Sequence, residues 1–155
     1  MKKILLFSLV FLLIFLSSCN GYNGIMRDHL SDPENYGTYQ AIIVECTTES
    51  LTVTFEDRES IRKFLGADSN PEIPVEEYRF TLVLTKENSR ILKENGFYDA
   101  VSAGDTVTVR ASNYIYMDGN FFQIAMIEHG ETVYLPFEEG LQNIITMMEN
   151  NKSLL

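Results

Sequence analysis

The chain has 155 residues with a hydrophobic content of 45%, which suits one domain with a substantial core rather than two domains. Its formal net charge is −10 at pH 7. An acidic balance of this size argues against a nucleic-acid partner and against electrostatic attachment to anionic lipid.

The first residues form a basic start followed by an apolar run. Lys2 and Lys3 precede a continuous stretch from Ile4 to Leu16 that only Ser8 interrupts. At about 1.5 Å per residue this stretch spans roughly 20 Å as a helix, which is short of the roughly 30 Å of a bilayer's hydrocarbon layer. The pattern therefore predicts the core of a signal peptide, covering residues 1–18.

The residues that follow are Leu16-Ser17-Ser18-Cys19, an aliphatic residue, two small residues and a cysteine. This sequence resembles the lipobox of bacterial lipoproteins. The resemblance implies cleavage before Cys19, a thioether-linked diacylglycerol on that cysteine, and a lipid anchor at the extracytoplasmic face of the cell membrane. Two acyl chains make a stable anchor. The alternatives are an ordinary secretory signal with a chance cysteine, or an uncleaved anchor helix.

Cleavage at this position changes both the charge and the cysteine count. Loss of Lys2 and Lys3 leaves ten basic residues against 22 acidic ones, a formal charge of 10 − 22 = −12. With Cys19 acylated, Cys46 is the remaining thiol, so an intramolecular disulfide is excluded. We expect Cys46 to be a small buried strand residue rather than a nucleophile.

Residues 19–37 contain three glycines and several polar residues, and we interpret most of this segment as a tether. Within it, Ile25, Met26 and Leu30 have the spacing of one helical turn that docks on the domain. A single domain is then predicted over residues 38–155.

The pattern of apolar residues and turn residues defines the elements of this domain. Strands are predicted at Thr38 to Cys46, Leu51 to Phe55, Tyr78 to Leu84 and Thr132 to Leu135, and helices at Asp57 to Leu65, Lys86 to Asn95 and from Pro136 onward. Asp57 is expected to cap its helix, and Gly96 to end the next one.

The stretch from Gly104 to Pro136 is the clearest local signal, because Asp118-Gly119 lies between two β-rich runs and is typical of a hairpin turn. With these two residues as the loop, the register follows: Ala111 faces Met126, Asn113 faces Ile124 and Ile115 faces Phe122. Since side chains alternate in a strand, one face is predicted to be the core face. Its members are Val107, Val109, Ala111, Ile115, Phe122, Ile124 and Met126.

The order strand, strand, strand, helix, strand, strand resembles an OB-fold, a five-stranded Greek-key barrel. The resemblance implies a mainly β fold with helices: a small barrel with a helix between strands 3 and 4, extended by a short strand and a C-terminal helix. The alternative is another small antiparallel barrel or sandwich of the α+β class, with helices at one end.

The opposite face of the hairpin carries the candidate ligand or partner site: Arg110, Tyr114, Tyr116, Phe121 and Gln123. Rigid aromatic rings and a guanidinium are common in recognition surfaces, so a protein, peptide or glycan is the expected partner. The alternative is that the tether or the C-terminal helix covers this face. That helix needs an apolar partner for a stripe formed by Leu141, Ile144, Ile145 and Met148.

No motif of nucleophilic catalysis or phosphate binding occurs in the chain. His29 and His129 lie far apart in sequence and are expected to be unrelated surface residues, so neither a metal nor a cofactor is expected. These observations favour a non-enzymatic binding or adaptor module anchored to the membrane. The alternative is a structural or assembly subunit of an envelope complex that docks through its C-terminal helix.

Overall fold

The fold is taken from a computed structural model, which describes residues 24, 26–65, 72–112 and 122–151, and of residue 151 the backbone alone. The predicted signal peptide, Cys19 and the turn at Asp118-Gly119 lie outside these residues.

In the described ranges, six strands form one sheet that closes on itself. They are β1 (Tyr36–Cys46), β2 (Ser50–Thr54), β3 (Phe80–Val83), β4 (Thr106–Ser112), β5 (Phe122–His129) and β6 (Thr132–Leu135). The strand order is β3-β2-β1-β4-β5-β6, and a parallel pairing of β3 with β5 closes the first five strands into a barrel. This topology confirms the expected OB-like barrel, with β6 as an added strand next to β5.

Five α-helical segments surround the barrel in the described part of the chain. They are α1 (26–31), α2 (Arg58–Leu65), α3 (Lys86–Glu94), α4 (Phe97–Ala100) and α5 (Phe137–Asn151). The sequence predicted one helix between β3 and β4, but the structure has two. Gly96 adopts φ 77° between α3 and α4, a left-handed conformation that ends the first helix and redirects the chain into the second.

Side chains at the helix starts account for where α2 and α3 begin. The carboxylate of Asp57 accepts hydrogen bonds from the backbone nitrogen and the hydroxyl of Ser60, at 2.8 and 2.9 Å. These hydrogen bonds lower the pKa of Asp57. The hydroxyl of Thr85 accepts a hydrogen bond from the backbone nitrogen of Asn88 at 3.0 Å. The predicted cap at Asp57 is thus confirmed, and Thr85 is the cap of α3.

The barrel interior is filled by side chains, with helices at both ends. Where β3 begins, Phe64 of α2 contacts the rings of Tyr39, Phe80 and Phe122 at centroid distances of 4.3 to 5.0 Å. Where β3 ends, α3 and α4 contribute buried apolar side chains to the same core. In the described residues, the barrel interior is therefore a packed core.

The predicted hairpin register is wrong in its described part. Ala111 pairs with Ile124, and Arg110 pairs with Met126. Ala125 therefore has no partner residue in β4 and forms a β-bulge in β5. The bulge shifts the alternation of β5, and Ile127 enters the core while Met126 is half-buried. The other described members of the predicted core face are buried as expected: Val107, Val109, Ala111, Phe122 and Ile124.

Candidate functional site

The candidate site lies on the outer face of β4 and β5, where Arg110 joins three parts of the chain. Its guanidinium carbon lies 3.4 Å from the ring centroid of Phe137, the first residue of α5. Its Nη2 donates hydrogen bonds to the carbonyl oxygens of Pro33 and Tyr36, each at 3.4 Å. Arg110 therefore holds the start of β1 and the start of α5 together, through cation–π stacking and backbone hydrogen bonds.

Tyr36 extends this contact toward the N-terminal helix. Its hydroxyl donates a 2.9 Å hydrogen bond to the carbonyl oxygen of Leu30 in α1, and its ring meets Phe137 edge to face at 5.8 Å. Tyr36 is 4% exposed, and this burial raises the pKa of its phenol far above the ordinary value. The phenol is therefore a neutral hydrogen-bond donor that fixes α1 to the barrel.

Helix α5 crosses β5 at Ala125, the bulged residue. Gly140 lies so close to this strand that a Cβ at its position would overlap the carbonyl oxygen of Ala125. The outward-facing Ala125 is fully buried and belongs, with Ile144, Met148 and Leu30, to a second apolar cluster. A small residue in the strand and a glycine in the helix thus allow the two backbones to approach closely.

The polar residues next to this contact belong to β4 and to the start of β5. The backbone nitrogen of Gln123 donates a 3.2 Å hydrogen bond to the hydroxyl of Ser112, which is fully buried. Among the described residues, no donor reaches the buried Oε1 of Gln123, and no acceptor reaches the buried Nε of Arg110.

Of the predicted site residues, Arg110 and Gln123 lie on this outer face. Tyr114, Tyr116 and Phe121 fall outside the described residues, as does the predicted lipidation site Cys19. Over the described part of the face, α5 covers Ala125 and stacks on Arg110, so the cover that the sequence left as an alternative is present there.

The sequence predicts that Asn88 lies in a helix, but it does not predict the role of its side chain. Asn88 is fully buried, and its Nδ2 donates hydrogen bonds to the carbonyl oxygens of Ile124 and Gly140, at 3.3 and 3.2 Å. Its Oδ1 accepts a 2.9 Å hydrogen bond from Asn143. A polar residue among the buried positions of α3 was the available signal, and it indicates a buried network rather than a reactive group.

The titratable groups of the described residues do not converge on a metal site. No group of three or more histidine, cysteine, aspartate or glutamate side chains is placed to hold a metal ion in this part of the chain. Cys46, expected to be buried, is half-buried at the end of β1, and its desolvation raises the pKa of the thiol. The pKa of His29 is lowered by burial, an effect that Asp32 partly offsets.

The fold and this face define a small OB-like barrel whose outer surface is joined to an N-terminal and a C-terminal helix. Across the described ranges, no helix has both the length and the apolar character that crossing a membrane requires. The chain matches no protein-family model, no curated protein and no solved structure.

Proposed function

We propose that the chain is a bacterial lipoprotein, anchored through acylated Cys19 at the extracytoplasmic face of the cell membrane, whose barrel is a non-enzymatic binding or adaptor module. The observation that carries the proposal is the order of Lys2 and Lys3, the apolar run from Ile4 to Leu16, and the cysteine that follows. The anchor supplies attachment to the membrane, and the barrel supplies the surface that meets a partner.

The outer face of the β4–β5 hairpin is our candidate for that surface. The filled interior of the barrel supports an external site, since aromatic side chains occupy the space that an internal ligand would need. Tyr114, Tyr116 and Phe121 would supply rigid aromatic contact area for that partner. A protein, peptide or glycan fits this chemistry, whereas the acidic charge disfavours nucleic acid.

Arg110 has a positioning role in this proposal. Its guanidinium stacks on Phe137 and binds the carbonyl oxygens of Pro33 and Tyr36, so it is committed to contacts within the chain. It holds the base of the hairpin in place while residues nearer the turn contact the partner.

The alternative function is a structural subunit that docks through α5. Two members of its apolar stripe, Ile144 and Met148, are 0% and 8% exposed and pack within the chain. Docking by this helix would therefore depend on Leu141 and Ile145, which are half-buried. The burial of Ile144 and Met148 limits the apolar surface that α5 can offer to a partner.

The test is chemical cross-linking of the lipidated protein in its native envelope. We expect Tyr116→Ala combined with Phe121→Ala to abolish the main cross-linked species, because most contact energy in an interface comes from a few aromatic anchors. The matched control is Val133→Ala, which removes a side chain that is 47% exposed on β6. Undiminished cross-linking of a folded double variant would contradict the proposed face.

A further inference from the structure

Described residues that pack against the barrel lie close in sequence to the proposed lipidation site. Helix α1 is docked through Leu30, which is 4% exposed, and Met26 packs against the same apolar cluster. The hydrogen bond from the Tyr36 hydroxyl to the carbonyl oxygen of Leu30 fixes this helix to the start of β1. The tether between anchor and domain is therefore limited to the residues that precede Met26.

The length of that tether is small compared with the domain. Seven chain steps separate Cys19 from Met26, and a fully extended chain covers at most about 25 Å in that number of steps. A flexible segment of this length has a typical end-to-end distance of only about 15 Å. A globular domain of this size is roughly 35 Å across. The surface around α1 must then stay nearer the bilayer than the opposite end of the barrel.

The strand pairing identifies that opposite end. Tyr36 pairs with Ser112, at one end of β4, while Thr106 at the other end pairs with Ile42. Seven residue steps along β5, about 24 Å, lead from Phe122 to His129 and the turn at Gly130. The turns at Gly104 and Gly130 thus lie at the far end of the barrel from Tyr36 and α1.

We propose that the α1 side of the barrel faces the lipid surface, and that the end formed by the turns at Gly104 and Gly130 is held outward. This inference rests on the proposed anchor at Cys19. Charge does not produce the orientation, since Asp28, Asp32 and Glu34 are exposed around α1 and the nearby Arg27 is paired with Asp28. The short tether imposes the orientation of the barrel. A partner that is itself a membrane protein would therefore contact the barrel close to the bilayer.

The experiment measures the distance of two labelled positions from the membrane in the full-length, lipidated protein reconstituted in vesicles. A Cys46→Ser background leaves a new cysteine as the free thiol for a fluorophore, because Cys19 is acylated. Glu34→Cys marks the α1 side and Glu131→Cys marks the far end, and both original side chains are exposed. Energy transfer to acceptors on lipid headgroups reports the two distances.

We expect the label at position 34 to lie at least about 10 Å closer to the headgroups than the label at position 131, given the length of β5. A twenty-residue Gly-Ser insertion after Asn20 lengthens the typical tether to roughly 30 Å and should reduce this difference by half or more. Equal distances in a protein whose acylation is verified by mass spectrometry would overturn the orientation alone. Absence of the acyl groups would overturn the anchor and this inference together.

Discussion

The side-chain nitrogen of Asn88 donates a 3.2 Å hydrogen bond to the carbonyl oxygen of Gly140, which ties α3 to α5. The same nitrogen reaches the carbonyl oxygen of Ile124 in β5. Along that edge β5 pairs with β3 as far as Gln123 and with β6 from Ile127 onward. Asn88 therefore donates a hydrogen bond to β5 in the interval between its pairing with β3 and its pairing with β6. Its two hydrogen bonds join α3 to both the barrel and α5.

We expect Asn88→Ala to lower the free energy of unfolding by about 2–4 kcal/mol. The substitution leaves two buried carbonyl oxygens, those of Ile124 and Gly140, without their donor, and each such loss costs about 1–3 kcal/mol. Urea denaturation followed by circular dichroism measures the change. The control is Asn95→Ala, since Asn95 makes one exposed hydrogen bond to Tyr134. Equal midpoints for the two variants would show that the Asn88 network does not stabilise the fold.

Gly140→Ala should destabilise the protein, although alanine ordinarily stabilises a helix relative to glycine by about 1 kcal/mol. The new methyl group would overlap the carbonyl of Ala125, so α5 must move away from β5 and lose buried contacts. We expect a loss of about 2–4 kcal/mol in thermal or urea unfolding. Gln142→Ala, at an exposed position of the same helix, should change stability by less than about 0.5 kcal/mol. A more stable Gly140→Ala variant would be incompatible with the close approach of α5 and β5.

The bulge at Ala125 predicts a large loss of stability at one position and a small loss at its neighbour. Ile127→Ala should cost about 2–5 kcal/mol because Ile127 is fully buried in the barrel. Met126→Ala should cost less than about 1 kcal/mol because its side chain is half-buried on the outer face. The uninterrupted register expected from the sequence predicts the reverse ranking, so the order of the two unfolding midpoints decides between them.

Much of the barrel could be predicted because its signals are local. Alternation identified β2, the cap at Asp57 marked the start of α2, and the order of elements indicated the OB-like topology. The bulge was missed for a physical reason. Ala125 faces outward and is buried because α5 covers it. The pattern of apolar residues within β5 gives no information on how a helix that follows in the sequence packs against this strand.

The same limit applies to the candidate site. An arginine among outward-facing residues of a strand is typical of a recognition surface, so the sequence predicts that role for Arg110. Its actual partners, Phe137 and the carbonyl oxygens of Pro33 and Tyr36, lie far from it in the chain. Such long-range contacts depend on where α1 and α5 pack against the barrel. The sequence of each helix alone does not predict this packing position.

Arg110→Met should loosen the N-terminal segment more than it affects the barrel. Methionine retains apolar contact with Phe137 but removes the stacked guanidinium and both hydrogen bonds. We expect amide hydrogen exchange over residues 26–36 to accelerate at least about tenfold, corresponding to roughly 1.4 kcal/mol of local opening. Strand β2 is separated from β4, which carries Arg110, by β1. Amide hydrogen exchange in β2 should therefore be unchanged, and it provides the internal control. Uniform acceleration through β2 would contradict a local role for Arg110.

Metabolic labelling with a palmitate analogue in a bacterial host that expresses the full-length chain tests lipid anchoring most directly. We expect label on the unaltered protein and on Cys46→Ser, and none on Cys19→Ala, because Cys19 is the proposed site of acylation and Cys46 is a half-buried thiol of the barrel. The labelled proteins should remain with the membrane fraction. Equal labelling of Cys19→Ala, or no label on the unaltered protein, would contradict the anchor on which the proposed function depends.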